Sequence, residues 1–281
     1  MILIADSGAS KTNWSVIDQS KLIASYNSVG LNPYHIYDNG IIDVLKDLFP
    51  KEFPVSNISS VFFYGAGCKL EPMAQRMESV LSQYFTNSVV HVYSDIVGAA
   101  RSLFAKSSGI VAIVGTGINT GFYSGDTIDN MVPSLGYILG DEGSGCYLGK
   151  ELIRAWQYSE LPNDILIKLN NFAKVDLSEI LRNVYSHDNP ERFLSGFVPF
   201  ISQNINHTSI KTLVDNAFDL FVERHLVKYP QFKHIGVGVV GSVGFILAQR
   251  LKIAIEKGGG RADKFLQYPI EGLIEFHKSN N

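Results

Sequence analysis

Twice in this chain an apolar strand runs into a small, hydroxyl-rich glycine turn and returns as a second strand. The first passage is Ile2-Leu3-Ile4-Ala5, then Asp6-Ser7-Gly8-Ala9-Ser10-Lys11-Thr12, then Trp14-Ser15-Val16-Ile17. The second is Ile110 to Val114, then Gly115-Thr116-Gly117, then Ile118 to Tyr123. A turn without bulky side chains lets backbone N–H groups gather round an anion, and glycine supplies the dihedrals such turns need. Two of them on matching hairpins predict a duplicated fold that grips a polyphosphate from both sides.

The rest of the chain fits that duplication. Strands are predicted at 2–5, 14–18 and 22–26, and a helix at 33–49 from the spacing of Ile36, Ile41, Val44, Leu45 and Leu48. Strands at 61–64 and 89–93 flank a helix at 72–84, and a further helix follows around 94–104. The second meander begins at Ile110. Residues 144–229 read as mostly helix, including 193–205 and 213–227. A strand at 235–240, a Gly-Ser turn, a helix at 244–255, a short strand at 265–268 and a terminal helix at 269–277 complete the pattern. Strands alternating with crossover helices predict an α/β protein with mixed sheets. Two domains are expected: a small N-terminal lobe of residues 1–104 plus 269–281, and a large C-terminal lobe of residues 105–268.

Composition narrows the function. With 24 basic and 27 acidic side chains the formal charge is −3, and the basic residues are scattered, so a nucleic-acid partner is not expected. The longest apolar run, 235–248, is too short to span a bilayer and holds four glycines, so no membrane association is expected. Asp6 interrupts the first apolar stretch after five residues, which argues against a signal peptide and for a cytoplasmic protein. The two cysteines, Cys68 and Cys146, lack metal-ligand spacing. The Lys11-Thr12 ending hints at a P-loop, but that motif needs glycines where Ala5 and Ser10 stand.

A different family fits. Asp6 to Thr12 resembles the first phosphate motif of the acetate and sugar kinase/Hsc70/actin superfamily, Gly115-Thr116-Gly117 its second, and Val239-Val240-Gly241-Ser242-Val243-Gly244 its adenosine motif. Gly136 to Gly145, containing Gly140-Asp141-Glu142-Gly143, resembles the signature of N-acetylglucosamine kinases and their relatives among BadF/BadG-type ATPases. The resemblance covers nearly the whole chain in order. It implies a two-lobed actin-like ATPase fold of the ribonuclease H-like kind with a duplicated core, a sugar as small-molecule substrate, and ATP with Mg²⁺; a homodimer is compatible with it.

Carried over residue by residue, the resemblance implies that Asp6 orients the magnesium, usually through water, and that Gly8, Ser10, Lys11 and Thr12 face the phosphates. Gly115, Thr116 and Gly117 would cradle the terminal phosphates, and Gly241 and Ser242 would meet the adenosine. Asp95, following the strand 89–93, takes the place of the general base. Asn32, Gly67, Asp141 and Glu142 fall at the sugar positions, with Glu142 orienting Asp141. Each also has a plainer reading: Asp95 and Asn32 as helix caps, Asp141 and Glu142 as acidic residues favouring a helix dipole. One departure is Ala66, where relatives can carry a serine that touches the sugar. The resemblance implies an ATP-dependent kinase that converts an amino sugar, N-acetylglucosamine first, to its 6-phosphate, with glucosamine as an alternative acceptor. An ATPase activator of a 2-hydroxyacyl-CoA dehydratase, using two cysteines per subunit for an iron–sulfur cluster, is the reading from another class. A sugar-sensing regulator is not expected, because the chain begins directly at its first strand.

Overall fold

Strand β1 (Ile2–Ser7) is buried from Leu3 through Ala5, the mark of a strand covered on both faces. The computed structural model of the protein describes residues 1–8, 11–187 and 189–279; the expected phosphate-binding Ser10 lies outside these described residues. The chain divides into two units. The first comprises Met1–Ser107, Gly125–Thr127 and Tyr268–Asn281; the second comprises Ser108–Ser124 and Ile128–Gln267.

In the first unit, β2 (Lys11–Asp18) and β3 (Lys21–Val29) run antiparallel from β1, while β4 (Ser60–Gly65) and β5 (Val89–Ser94) join its other side in parallel. The sheet order is β3-β2-β1-β4-β5. Helices Asp38–Leu48 and Glu71–Tyr84 pack Leu45, Met77 and Leu81 onto Leu3, Val61 and Phe63 on one face. On the other face, helices Asp95–Phe104 and Ile270–Ser279 bring Val97, Leu273 and Ile274 against Ile4, Ile17 and Tyr64. Each fully buried aliphatic side chain here contributes roughly 1.5–3 kcal/mol. A polar seam also binds the last helix to the sheet: Tyr64 Oη lies 2.9 Å from His277 Nε2 and accepts from Arg101 at 3.0 Å. Burial first, then Arg101 and His91, pushes the His277 imidazole down to about 4, so it is neutral at physiological pH.

The second unit repeats the plan. Its strands are β6 (Gly109–Val114), β7 (Ile118–Tyr123), β8 (Ile128–Asn130), β9 (Gly236–Val240) and β10 (Arg261–Leu266), in the order β10-β9-β6-β7-β8. Read outward from the first strand, both sheets have an antiparallel meander on one side and two parallel strands on the other. The fold class expected from the two glycine turns is therefore the one observed. Helices Gly145–Gln157, Asn163–Ala173, Leu177–Tyr185, Thr208–Phe221 and Ala248–Lys257 enclose a core that includes Leu152, Ile165, Phe218 and Leu251. No helix among the described residues is long and apolar enough to cross a membrane.

Several helix boundaries differ from the sequence reading. The helix expected over 33–49 begins only at Asp38, because Asn32 folds residues 32–36 into a turn: its Oδ1 accepts from Tyr34 N–H and its carbonyl from His35 and Ile36. The helix expected over 193–205 is two short helices, Pro190–Ser195 and Val198–Gln203. Pro199 explains the break, since it has no N–H to donate to Ser195 and fits only the first turn of a new helix. Helix 244–255 is likewise divided at Leu247 into Ser242–Ile246 and Ala248–Lys257. Strand β8 and a short helix at Gly136–Leu139 were not expected.

Candidate functional site

Parallel pairing aligns the carboxyl ends of β1, β4 and β5, with Ser7 beside Gly65 and Gly65 beside Ser94. Ligand-binding groups of open α/β sheets gather at such ends. Here they carry Asp6, the loop Gly65-Ala66-Gly67 and Asp95. Asp95 opens its helix, and its Oδ1 accepts from Ile96 N–H at 2.8 Å. Burial, partly offset by that backbone bond and by Lys69, pushes the Asp95 carboxyl up to about 6. Burial also lifts Asp6 to about 7; an Asn13 side-chain hydrogen bond opposes the shift, Asp95 adds to it and Lys11 lowers it. The two carboxylates therefore sense one another. Each is raised towards neutral pH, the range useful to a proton acceptor.

Gly8 N–H donates to the Lys11 carbonyl at 3.0 Å. Gly8 and Lys11 are exposed, and the Lys11 ammonium lies 5.6 Å from the centre of the Tyr268 ring. Thr12, expected to face the phosphates, points inward instead. Its hydroxyl is buried, 2.8 Å from Ser7 Oγ, and donates to the Val29 carbonyl at 3.0 Å. Ser7 Oγ in turn accepts from Leu31 N–H at 3.0 Å, which anchors the Asn32 loop to the end of β1. Asn32 and Gly67 meet: Gly67 has φ +84°, and a β-carbon on it would collide with Asn32 Oδ1. Two of the expected sugar residues are thus brought together by one glycine.

In the second unit the carboxyl ends of β6 and β9 carry Gly115-Thr116-Gly117 and Gly241-Ser242. Helix Gly145–Gln157 starts against the first of these turns, with the amides of Gly145 and Cys146 donating to the carbonyls of Gly115 (2.8 Å) and Thr116 (3.0 Å). Thr116 is exposed, and the space above Gly115 is open. Gly241, at φ +124°, packs its α-carbon on the carbonyl of Val114, and Gly244 packs on Val114 and Val239. Ser242 is exposed at the start of its short helix. Asp141 joins the same turn. Its carboxylate accepts from Ile118 N–H and from Ser134 Oγ (3.4 Å), and a β-carbon at Gly117 would sit 2.7 Å from its Oδ2. Burial raises the Asp141 carboxyl above its ordinary range. Glu142 faces elsewhere, towards Arg224 and, at 3.1 Å, His225 Nε2. Burial would lift Glu142, but His225 and Arg224 outweigh it and hold the carboxylate low.

A solved structure from Porphyromonas gingivalis, provisionally named an N-acetylglucosamine kinase, is 34% identical to this chain with a TM-score of 0.94, covering 100% of this chain and 99% of its own. The chain belongs to that protein's family. A Chromobacterium violaceum protein with the same provisional name is 15% identical (TM-score 0.78, 98% of each chain). A ROK family glucokinase from Streptomyces griseus, solved with glucose and AMPPNP, is 13% identical (TM-score 0.54, 98% of this chain and 97% of its own). The last two likenesses show the fold, a duplicated actin-like α/β fold. No protein-family model and no curated protein matches the chain.

In this member of the N-acetylglucosamine kinase-like family, Cys68 and Cys146 are both buried, and burial pushes each thiol up to about 12. With no metal bound, such thiols stay protonated. Asn13, Lys69, Arg224 and His225 escaped the sequence reading. Asn13 was within reach, since the hairpin register pairs it with Asp6. Arg224-His225 shows in the sequence only as a charged interruption of an apolar helix.

Proposed function

We propose that this protein is an ATP-dependent sugar kinase, with N-acetylglucosamine as its acceptor and the 6-phosphate as its product. The observation that carries the reading is the pair Asp6 and Asp95 at the carboxyl ends of β1 and β5, the parallel strands on either side of β4, both raised towards neutrality, beside the loop that seats Asn32 on Gly67. The name of the 34% identical relative supports the choice of an amino sugar. Ala66 supplies no hydroxyl, so recognition in that loop rests on its backbone and on Asn32.

Asp95 accepts the proton of the sugar hydroxyl while the oxygen attacks the γ-phosphorus in line. The new P–O bond forms as the bridging β–γ bond breaks, and ADP leaves with the electron pair. Little covalent chemistry falls to the protein, so positioning and charge neutralisation supply most of the acceleration. Among the described residues no group of three or more ligating side chains exists. Asp6, the one carboxylate assigned to the cation, fits Mg²⁺ held largely by water and phosphate oxygens. When bound, the cation neutralises phosphate charge. For the nucleotide the assigned residues of the second unit are Thr116, Gly117, Gly241 and Ser242; for the sugar they are Asn32 and Gly67 in the first unit and, separately, Asp141 in the second.

A coupled assay of ADP release against a panel of amino sugars tests the assignment; N-acetylglucosamine is expected to give the highest kcat/KM, and ADP release independent of any sugar would refute it. Because Asp95 works only when ionised, kcat/KM for the sugar should fall tenfold per pH step below about 6 and level off above it. A profile that stays flat to pH 5 removes Asp95 from the role. Gly67→Ala is expected to raise the sugar KM by about 10-fold or more by displacing Asn32, with the ATP KM changed less than about twofold. Equal effects on both would show a general structural fault instead.

A further inference from the structure

Asp141 is one of the few non-glycine residues with a left-handed backbone, at φ +60°, a conformation that persists only where its surroundings enforce it. The turn it begins is closed by Ser144 N–H donating to the Asp141 carbonyl at 2.9 Å, and Ser144 Oγ caps the following helix by accepting from Tyr147 N–H at 3.0 Å. Between them, Gly143 at φ +84° has its α-carbon against Phe218 and Phe221. Glu142 is buried with one oxygen on Arg224 and the other on His225 Nε2. The segment is therefore held from two sides, by aromatic packing and by a charged clamp.

The clamp comes from an irregular part of the helix. Residues Val222–Leu226 form a π-helical turn continuing helix Thr208–Phe221, and such turns insert an extra residue and often mark functional positions. The turn delivers two adjacent residues, Arg224 and His225, to the same carboxylate. The His225 ring is further fixed by stacking on Phe221, with centroids 5.6 Å apart. Arg224 keeps much of its side chain in solvent, so the clamp is not needed to fill the core.

We infer that Arg224 and His225 are positioning residues which, through Glu142, hold the Asp141 carboxylate on Ile118 N–H and against the Gly115–Gly117 turn. Among the described residues Arg224 and His225 bond to Glu142 and not to Asp141, although the charge of His225 also favours the Asp141 carboxylate directly. The inference rests on the sugar-kinase reading for its effect on turnover, but not for the placement of Asp141.

Arg224→Met keeps the apolar stem and removes the guanidinium. It is expected to lower kcat/KM for the sugar by about 10–100-fold, by analogy with supporting residues elsewhere, and Arg224→Lys to recover most of the loss. Asp141→Gly provides the control, since glycine adopts the left-handed backbone freely and leaves no carboxylate to position. In that background Arg224→Met should cost less than about twofold more. The same factor in both backgrounds would mean a merely structural role and overturn the inference. Amide hydrogen exchange of the ligand-free protein gives an activity-independent readout: the Ile118 amide should exchange at least about 10-fold faster in Arg224→Met. Unchanged exchange at Ile118 overturns the inference even if no sugar is phosphorylated; wild-type inactivity with the exchange effect present refutes only the kinase reading.

Discussion

Asp95→Asn is expected to reduce turnover by about 10²–10⁴-fold while leaving nucleotide affinity unchanged and making the ligand-free protein more stable at pH 8. The loss follows from removing the only group assigned to accept the hydroxyl proton. The gain follows from the raised carboxyl. Unfolded, an aspartate loses its proton near 3.8; folded, Asp95 keeps it to about 6. Its favourable contribution is complete below the unfolded value and disappears as pH rises through the folded one, after which an ionised carboxylate sits where water is scarce. Asparagine avoids that ionisation and retains an oxygen to accept from Ile96 N–H. After allowance for partial exposure, the gain is on the order of 2 kcal/mol, or several degrees in Tm. Thermal melts of the two proteins at pH 4 and pH 8 check the sign, since the difference should appear only at the higher pH. Preserved turnover, or a destabilised variant at pH 8, would remove Asp95 from its assigned role.

Gly241→Ala is expected to destabilise the second unit by about 2–4 kcal/mol and to abolish measurable nucleotide binding. The backbone there has φ +124° and ψ 154°, a region reserved almost wholly for glycine. A β-carbon would also press on the Val114 carbonyl and lie 3.2 Å from Gly115 N, so relief requires moving the second phosphate turn itself. Each unit carries one tryptophan, Trp14 in the first and Trp156 in the second. In a Trp14→Phe background, denaturant unfolding followed by fluorescence therefore reports the second unit alone. A midpoint unchanged from the parent would show that the turn tolerates displacement.

What the sequence made legible was local. The hairpins at Asp6–Thr12 and Gly115–Gly117 could be read because strand patterning and glycine turns are encoded within a dozen residues. The duplicated sheet order follows from them. The helix breaks at Pro199 and after Asn32 were legible in principle, since both obey local rules that apolar periodicity masked. The seating of Asn32 on Gly67 was not, because it depends on a positive φ at one residue and a turn 35 positions earlier. Nor was the clamp on Glu142, which needs a π-helical turn more than 80 residues away to bring Arg224 and His225 round together. The burial of Thr12 was hidden for a related reason: a hydroxyl that faces a ligand and one turned inward onto Ser7 and the Val29 carbonyl look alike in sequence.

The most direct measurement is the fate of the terminal phosphoryl group. Protein, ATP, Mg²⁺ and N-acetylglucosamine are incubated together, and phosphorus NMR follows ADP and sugar phosphate in the same sample. The expected result is one equivalent of a sugar 6-phosphate per ADP, with both formed about 10²–10⁴-fold more slowly in Asp95→Asn. ADP accompanied by free phosphate alone, or no ADP with any amino sugar tried, contradicts phosphoryl transfer by these residues.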